Sequence, residues 1–291
     1  MSLIKSIRGK NVNFDFNKEF LSIFSDKIKA SDIKFINQTL EDLHPSDVAN
    51  LIENLSSETR AKLIEIEEFD IDPEIFVEIN ESIQTEILQL LSNDSIAKII
   101  KRLESDNAIS IIENLSQEKK NLVLDKLPPK DRFLLEEGLS YPEDSAARIM
   151  QREFTAVPSD WSVGQTIDYL RESKDLPEEF LEIFIVDNEF KPVGIVPSSR
   201  VLRTPREKKM NVIMREMPVL ISVNMDKEEV GHTFENYNLL SAGVVNKNNK
   251  LVGMITADDV VTVVQEEAEE DVLRLAGVGD EEITDTVLTK T

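Results

Sequence analysis

The chain has no cysteine, which excludes disulfide frameworks and thiolate metal sites and fits a reducing compartment. It also lacks any unbroken apolar run near the ~18 residues that a membrane-spanning helix needs. Its first residues, MSLIKSIRGKNVNFDF, hold neither a continuous apolar stretch nor a small-residue cleavage site, so no secretory signal is expected. Positive charge is scarce: 33 Lys and Arg stand against 56 Asp and Glu, a net −23. Such a surface repels nucleic acid and anionic membranes and draws cations or basic partners. A soluble intracellular chain is expected. Its polar ending, EEITDTVLTKT, shows no closing element, so one part of something longer is also expected.

Histidine is nearly missing too. His44 in LHPSD and His232 in VGHTF have no second ligand at helical or strand spacing, and read as a helix start and a surface residue. No nucleophile elbow, phosphate loop or zinc signature occurs. Trp161 in PSDWSVGQ reads as a packing anchor at a helix start. Catalysis is therefore not expected.

What is present is a chain of 291 residues, 41% apolar, long enough for two domains and apolar enough for packed cores. From about Asn17 to Leu139 the apolar residues recur at helical spacing. Val48, Leu51, Ile52, Leu55, Leu63 and Ile64 form one stripe, broken at Leu55-Ser56-Ser57. The phrase IENLS occurs at Ile52–Ser56 and again at Ile112–Ser116. This predicts a stack of short helical hairpins, each dependent on its neighbours. Pro128 and Pro129 are expected to start a helix that Gly138 ends, with Pro142 beginning another.

After Met150 the texture changes. EIFIVDNEFKPVGIV and SAGVVNKNNKLVGMIT each read as strand, tight polar turn, strand. Ile149-Met150 and Ile213-Met214 are offset by 213 − 149 = 64, and Gly194 and Gly253 repeat at nearly that spacing. A tandem β-α-β-β-α repeat of two units packed sheet to sheet follows. The second unit runs into a helix from Ala257. Within Gln265–Asp271 that helix carries Glu266, Glu267, Glu269, Glu270 and Asp271. At about 100° per residue, Asp259, Glu266, Glu267 and Glu270 share a sector of roughly 100°. Val260, Val261, Val264, Val272 and Leu275 spread over the other side, where they are expected to pack. Two like charges about 4 Å apart repel by roughly 1 kcal/mol in water and roughly 4 kcal/mol at an effective dielectric near 20. An acidic face of this kind closes on other acids only with a cation's help. A hard cation that keeps several waters and uses one or two carboxylates suits that role.

The stretches IMQREFTAV with FIVDNEFKPVGIV, and IMREMPVLISV with VVNKNNKLVGMITADDVV, resemble a pair of cystathionine-β-synthase (CBS) domains. That resemblance implies adenine-nucleotide binding (ATP or AMP) through Gly253, Thr256 and Asp259. Thr256 and Asp259 also read as a helix capping box, and both readings can hold together. In the first unit Pro197 and Arg200 depart from the pattern.

Helical repeats, then SYPEDSAARIM, the CBS pair and DDVVTVVQEEAEEDVLRLAGV together resemble the cytosolic region of an MgtE-type magnesium transporter. The implied fold class is multidomain, α and α+β: an α-helical hairpin-repeat superhelical domain, a tandem CBS pair and a connecting helix. The expected boundaries are 1–140, 141–205 and 206–276, with 277–291 starting a linker toward a membrane domain. The resemblance implies a CBS-mediated homodimer on the cytoplasmic face of the cell membrane that binds Mg2+ and holds a pore closed when the ion is plentiful. Its motif falls on Glu74, Asp106, Asp226, Asp259, Glu267, Glu270 and Asp271, with Asp106 and Asp259 the pair most expected to share an ion. Asn107, Ser110, Asn238 and Thr262 stand where the family often has acids. The alternative is a free-standing CBS protein that senses adenine nucleotide and binds a protein target through its helices.

Overall fold

The computed structural model describes residues 16–41, 43–66, 72–177 and 179–275. These condense into two compact units, one of residues 16–103 and 110–132, the other of 104–109 and 133–275. No single cut in the sequence separates them, because Glu104 and the first five residues of the helix that follows it join the second unit.

The first unit is helical: α1 (Lys18–Lys29), α2 (Ile33–Leu40), α3 (Pro45–Glu53), α4 (Ser57–Ile64), α5 (Pro73–Glu78), α6 (Glu81–Leu90), α7 (Asn93–Ile100), the end of α8 (Ser105–Glu113), α9 (Gln117–Leu124) and the start of α10 (Pro129–Leu139). Helices this short are marginal alone, so their stability comes from packing an apolar face. Eight of these starts are marked by a side chain that accepts a backbone N–H: Asn17, Asp32, His44, Ser56, Asp72, Asn80, Ser92 and Ser116. The repeated IENLS thereby acquires a local meaning. Its Ile and Glu close one helix, and its Ser caps the next. His44 is such a cap, accepting from the Ser46 amide at 3.3 Å. The apolar stripe faces inward, with Val48, Leu51, Ile52, Leu55 and Leu63 buried and Ile64 half-buried.

The second unit holds two three-stranded sheets. One is β1 (Ala156–Pro158), β2 (Glu182–Val186) and β3 (Pro192–Pro197); the other is β4 (Ile221–Ser222), β5 (Ser241–Val245) and β6 (Leu251–Thr256). In each, the first strand runs parallel to the second and the second antiparallel to the third. The helices α11 (Val163–Glu172) and α12 (Ser198–Arg203) accompany the first sheet. The short α13 (Met210–Ile213) opens the second repeat, and α14 (Lys227–Tyr237) and α15 (Ala257–Leu275) complete it. Phe184, Val186, Ile195 and Leu251 form a core joining the two sheets. Trp161 packs edge-on against Tyr169, 5.4 Å between ring centres, beside the first sheet's core.

The repeats exchange segments. Gln151, at the opening of the first, bridges Met254 in β6, while Arg215, at the opening of the second, bridges Ile195 in β3. Both crossings run over a glycine. A Cβ at Gly253 would lie 2.8 Å from the Gln151 carbonyl oxygen and 2.8 Å from Met150 Sδ; one at Gly194 would lie 2.9 Å from the Arg215 oxygen. The repeated glycines therefore serve close backbone packing.

Gly138 stands one residue before the end of α10, as expected within a residue, and a Cβ there would meet Ile109 Cδ1 at 2.3 Å. Two expectations need correction. Pro142 begins no helix. Its segment is a run of turns whose Ala146 and Ala147 amides donate to Met225 and Val223 oxygens, so no helical ladder forms. On α15, Val260 and Val263 are buried, but Val261, Val264 and Val272 are 64%, 52% and 65% exposed.

Candidate metal centre

The acidic end of α15 meets the first turn of α8 inside the second unit. Asp258 and Asp259 open α15, where carboxylates favour the helix dipole. The Thr256 amide and hydroxyl donate to Asp259 Oδ2 at 3.3 and 2.5 Å. The carboxylate half of the expected capping box is thus present. Gln151 Nε2 donates to the same Oδ2 at 3.1 Å and to Glu104 Oε2 at 3.0 Å.

The Glu104–Asp106 segment is pinned independently. The Ser105 amide and hydroxyl donate to Glu153 Oε2 at 3.1 and 2.9 Å, and the Arg152 amide donates to Ser105 Oγ at 2.7 Å. Arg152 also pairs with Glu137 at 3.0 Å. These contacts push Asp106 inward until it is only 7% exposed. Its Oδ1 is fully buried and has no hydrogen-bond partner.

Electrostatics follow from that burial. Desolvation pushes the Asp106 carboxyl well above the ordinary carboxylate range, with the charges of Asp259 and Glu104 pushing the same way. Asp259 is raised as well, first by burial, although its hydrogen bond from Thr256 works against the rise. Asp106 and Asp259 lie close enough for their carboxyl groups to influence each other. An acceptor-only oxygen buried beside a second carboxylate either holds a proton or needs a cation.

The other expected ligands are placed differently. Glu74 is exposed on the first turn of α5 in the first unit. Asp226 caps α14 and accepts from the Glu228 amide at 2.9 Å. Glu267 faces Lys227 Nζ at 3.4 Å, and the same ammonium lies 3.4 Å from Asp144. Glu270 and Asp271 are in the backbone of α15, but their side chains lie outside the described residues. Among the described residues no three His, Asp or Glu side chains converge into a ready cage. The donors at Asp106 and Asp259 still fit a hydrated hard cation, since magnesium takes one or two carboxylates and keeps its waters.

The expected nucleotide residues also make contacts within the fold. Asp259 is engaged by Thr256 and Gln151, and Gly253 accommodates residues 150 and 151. An open cleft of about 390 Å³ lies in the first repeat, lined by Pro197, Ser199, Arg200, Arg203 and Thr204. The sequence pattern alone does not single out Glu104, Gln151 or Lys227. Glu104 and Gln151 meet across 47 positions, a separation that no local spacing announces.

Residues 43–144 match the model of the MgtE intracellular N domain, and residues 146–207 and 210–266 each match the CBS domain. The chain belongs to the MgtE family. The magnesium transporter MgtE of Bacillus subtilis is 24% identical over 87% of this chain and 56% of its own length. That of Thermus thermophilus is 29% identical over 53% of this chain and 34% of its own length. The chain therefore spans about half, or less, of the MgtE relatives it matches. In structure it is similar to the soluble part of a magnesium transporter, with a TM-score of 0.74 at 21% identity, covering 86% of this chain and 99% of that one. It is also similar to the cytosolic domain of the Mg2+ channel MgtE in complex with ATP, with a TM-score of 0.73 at 24% identity, covering 82% and 97%. These likenesses establish the fold: a helical MgtE N domain and a tandem CBS pair. Among the described residues no helix is long and apolar enough to cross a membrane.

Proposed function

We propose that the chain is the Mg2+-sensing regulatory region of an MgtE-type transporter or channel, non-catalytic and placed on the cytoplasmic face of the membrane. Asp106 and Asp259 hold a hydrated Mg2+ between the start of α8 and the start of α15. The observation that carries this reading is the buried, unpartnered Oδ1 of Asp106 beside a second carboxylate. Bound ion relieves the repulsion and favours the closed arrangement; its loss loosens the acids. Glu74, Asp226, Glu267, Glu270 and Asp271 enter as further ligands by family resemblance alone, as do the boundaries near residues 140, 205 and 276. The membrane domain belongs to the same proposal. A CBS-mediated homodimer is supported by the exposed Val261, Val264 and Val272, an apolar stripe that a second copy would cover.

Several weak ions suffice for switching. An ion at ten times its dissociation constant favours its bound state by about 1.4 kcal/mol, and independent sites add. The test is thermal melting and small-angle scattering in chelator and in MgCl2. A magnesium-dependent rise in melting temperature and a compaction, both lost in Asp106→Asn with Asp259→Asn, are expected. Superimposable profiles in the two conditions would sink the reading.

A second reading, adenine-nucleotide sensing by the CBS pair, is favoured by the Arg200 and Arg203 side chains in the open cleft, where guanidinium groups suit phosphate. Calorimetric titration with ATP and AMP decides it: heat that vanishes in Arg200→Ala with Arg203→Ala supports it, and no heat in the unaltered chain rejects it.

A further inference from the structure

The two repeats place different side chains at the same position. Gln151 and Arg215 are offset by 215 − 151 = 64, and each bridges the third strand of the other repeat. Arg215 pairs with the buried carboxylate of Glu182, which also accepts from Ser241 Oγ at 2.7 Å. A guanidinium there is a permanent cation. At the other crossing a neutral amide faces two carboxylates instead, with Asp106 Oδ1 unpartnered close by.

We propose that Gln151 sets how tightly this centre holds a divalent cation. Its amide nitrogen sits between Glu104 and Asp259, in the place of a positive charge, and an incoming ion has to displace it. The inference rests on the magnesium reading above and adds the residue that weakens the site into a sensor's range. An amide nitrogen donates hydrogen bonds but has no lone pair for a metal. While it faces the carboxylates, it competes with the ion for them. The side chain is well rooted for this role. Gln151 is 3% exposed, its amide donates to the Met254 oxygen at 2.7 Å, and Met254 returns a bond at 2.9 Å. Removing its amide leaves the α8 segment docked, because Ser105 is held by Arg152 and Glu153.

Two substitutions in the full chain test this, each titrated with MgCl2 and followed by melting temperature and calorimetry. Gln151→Met keeps the shape and loses the donors. It should lower stability in chelator and tighten magnesium binding by about threefold to tenfold, since hydrogen bonds to charged acceptors no longer compete. Gln151→Arg installs the permanent cation of the other repeat and should abolish the response at this centre, while raising stability in chelator. A merely structural glutamine would lower stability in Gln151→Met without tightening binding. An unchanged or weaker midpoint in Gln151→Met, or a normal response in Gln151→Arg, overturns the proposal while leaving the magnesium reading intact. Absence of any magnesium response in the unaltered chain overturns both.

Discussion

Each unit holds a carboxylate out of full solvent contact, half-buried Glu86 in one and buried Asp106 in the other, and the two are treated in opposite ways. In the helical unit Glu86 lies against Arg60, whose Nη2 approaches Oε2 at 2.6 Å, while the guanidinium also donates to the Leu55 oxygen at 2.6 Å. Its hydrogen bond from Arg60 holds the Glu86 carboxyl below its usual range. In the CBS unit Asp106 is buried more deeply, has Asp259 where an arginine would serve, and is pushed up. One unit closes its charge account within its own side chains. The CBS unit does the same at Glu182, which Arg215 neutralises, but not at Asp106, where the proposed ion would take the place of an arginine.

The same charge-removing substitution should therefore have opposite signs in the two units. Glu86→Gln leaves the buried Arg60 without its anion and should destabilise the helical unit by about 2 kcal/mol, the scale of a charged hydrogen bond. Asp106→Asn in chelator should instead stabilise the CBS unit by about 1 kcal/mol, because it removes a carboxyl whose ionised form the site disfavours. Urea denaturation reads both, with Trp161, the one tryptophan of the chain, reporting the CBS unit. Loss of stability in Asp106→Asn under chelator would break the comparison.

Acidity separates the units further. Asp106 and Asp259 are raised, so the folded CBS unit binds more protons than the unfolded chain above the ordinary aspartate value. Their contribution is fully present below that value and declines as pH rises through the folded one. Glu86 is lowered, so its contribution is present above the ordinary glutamate value and is lost only as pH falls through the folded one. In chelator, taking the protein from pH 7 to pH 5 should raise the stability of the CBS unit, by at most about 1.4 kcal/mol per pH unit for one proton. The helical unit should hardly respond. Saturating MgCl2 should flatten the slope of the CBS unit, since the ion replaces the proton. Hydrogen exchange at the α15 and α4 amides distinguishes the two.

How much of this the sequence carries depends on the range of the interaction. The helical stack and the tandem repeat are legible because their signals are local: serine caps in IENLS, paired strand-turn-strand phrases, glycines at a fixed offset. The Asp106–Asp259 pairing came from family resemblance, and spacing alone contains nothing of it. Gly138 reads locally as a helix end, but its close approach to Ile109 on another helix is not legible there. The Pro142 segment reads as a helix start until Met225 and Val223 take its amides. Gln151 carries no sequence signal at all. Its meaning requires Glu104 and Asp259, 47 and 108 residues away.

The smallest effect concerns the acids that already have local partners. Asp226 caps α14 through the Glu228 amide, and replacing such a cap with alanine costs about 1 kcal/mol. Asp226→Ala should accordingly lower the melting temperature of the CBS unit slightly and equally in chelator and in MgCl2. A ligand behaves otherwise: its loss weakens the magnesium-bound form more than the chelated one, so the two melting curves move by unequal amounts. Parallel displacement makes Asp226 a capping residue and confines the exchangeable charge to the start of α8 and α15. Unequal displacement would enlist α14 in the sensor and would make the acidic surface, more than one buried pair, the element that answers the ion.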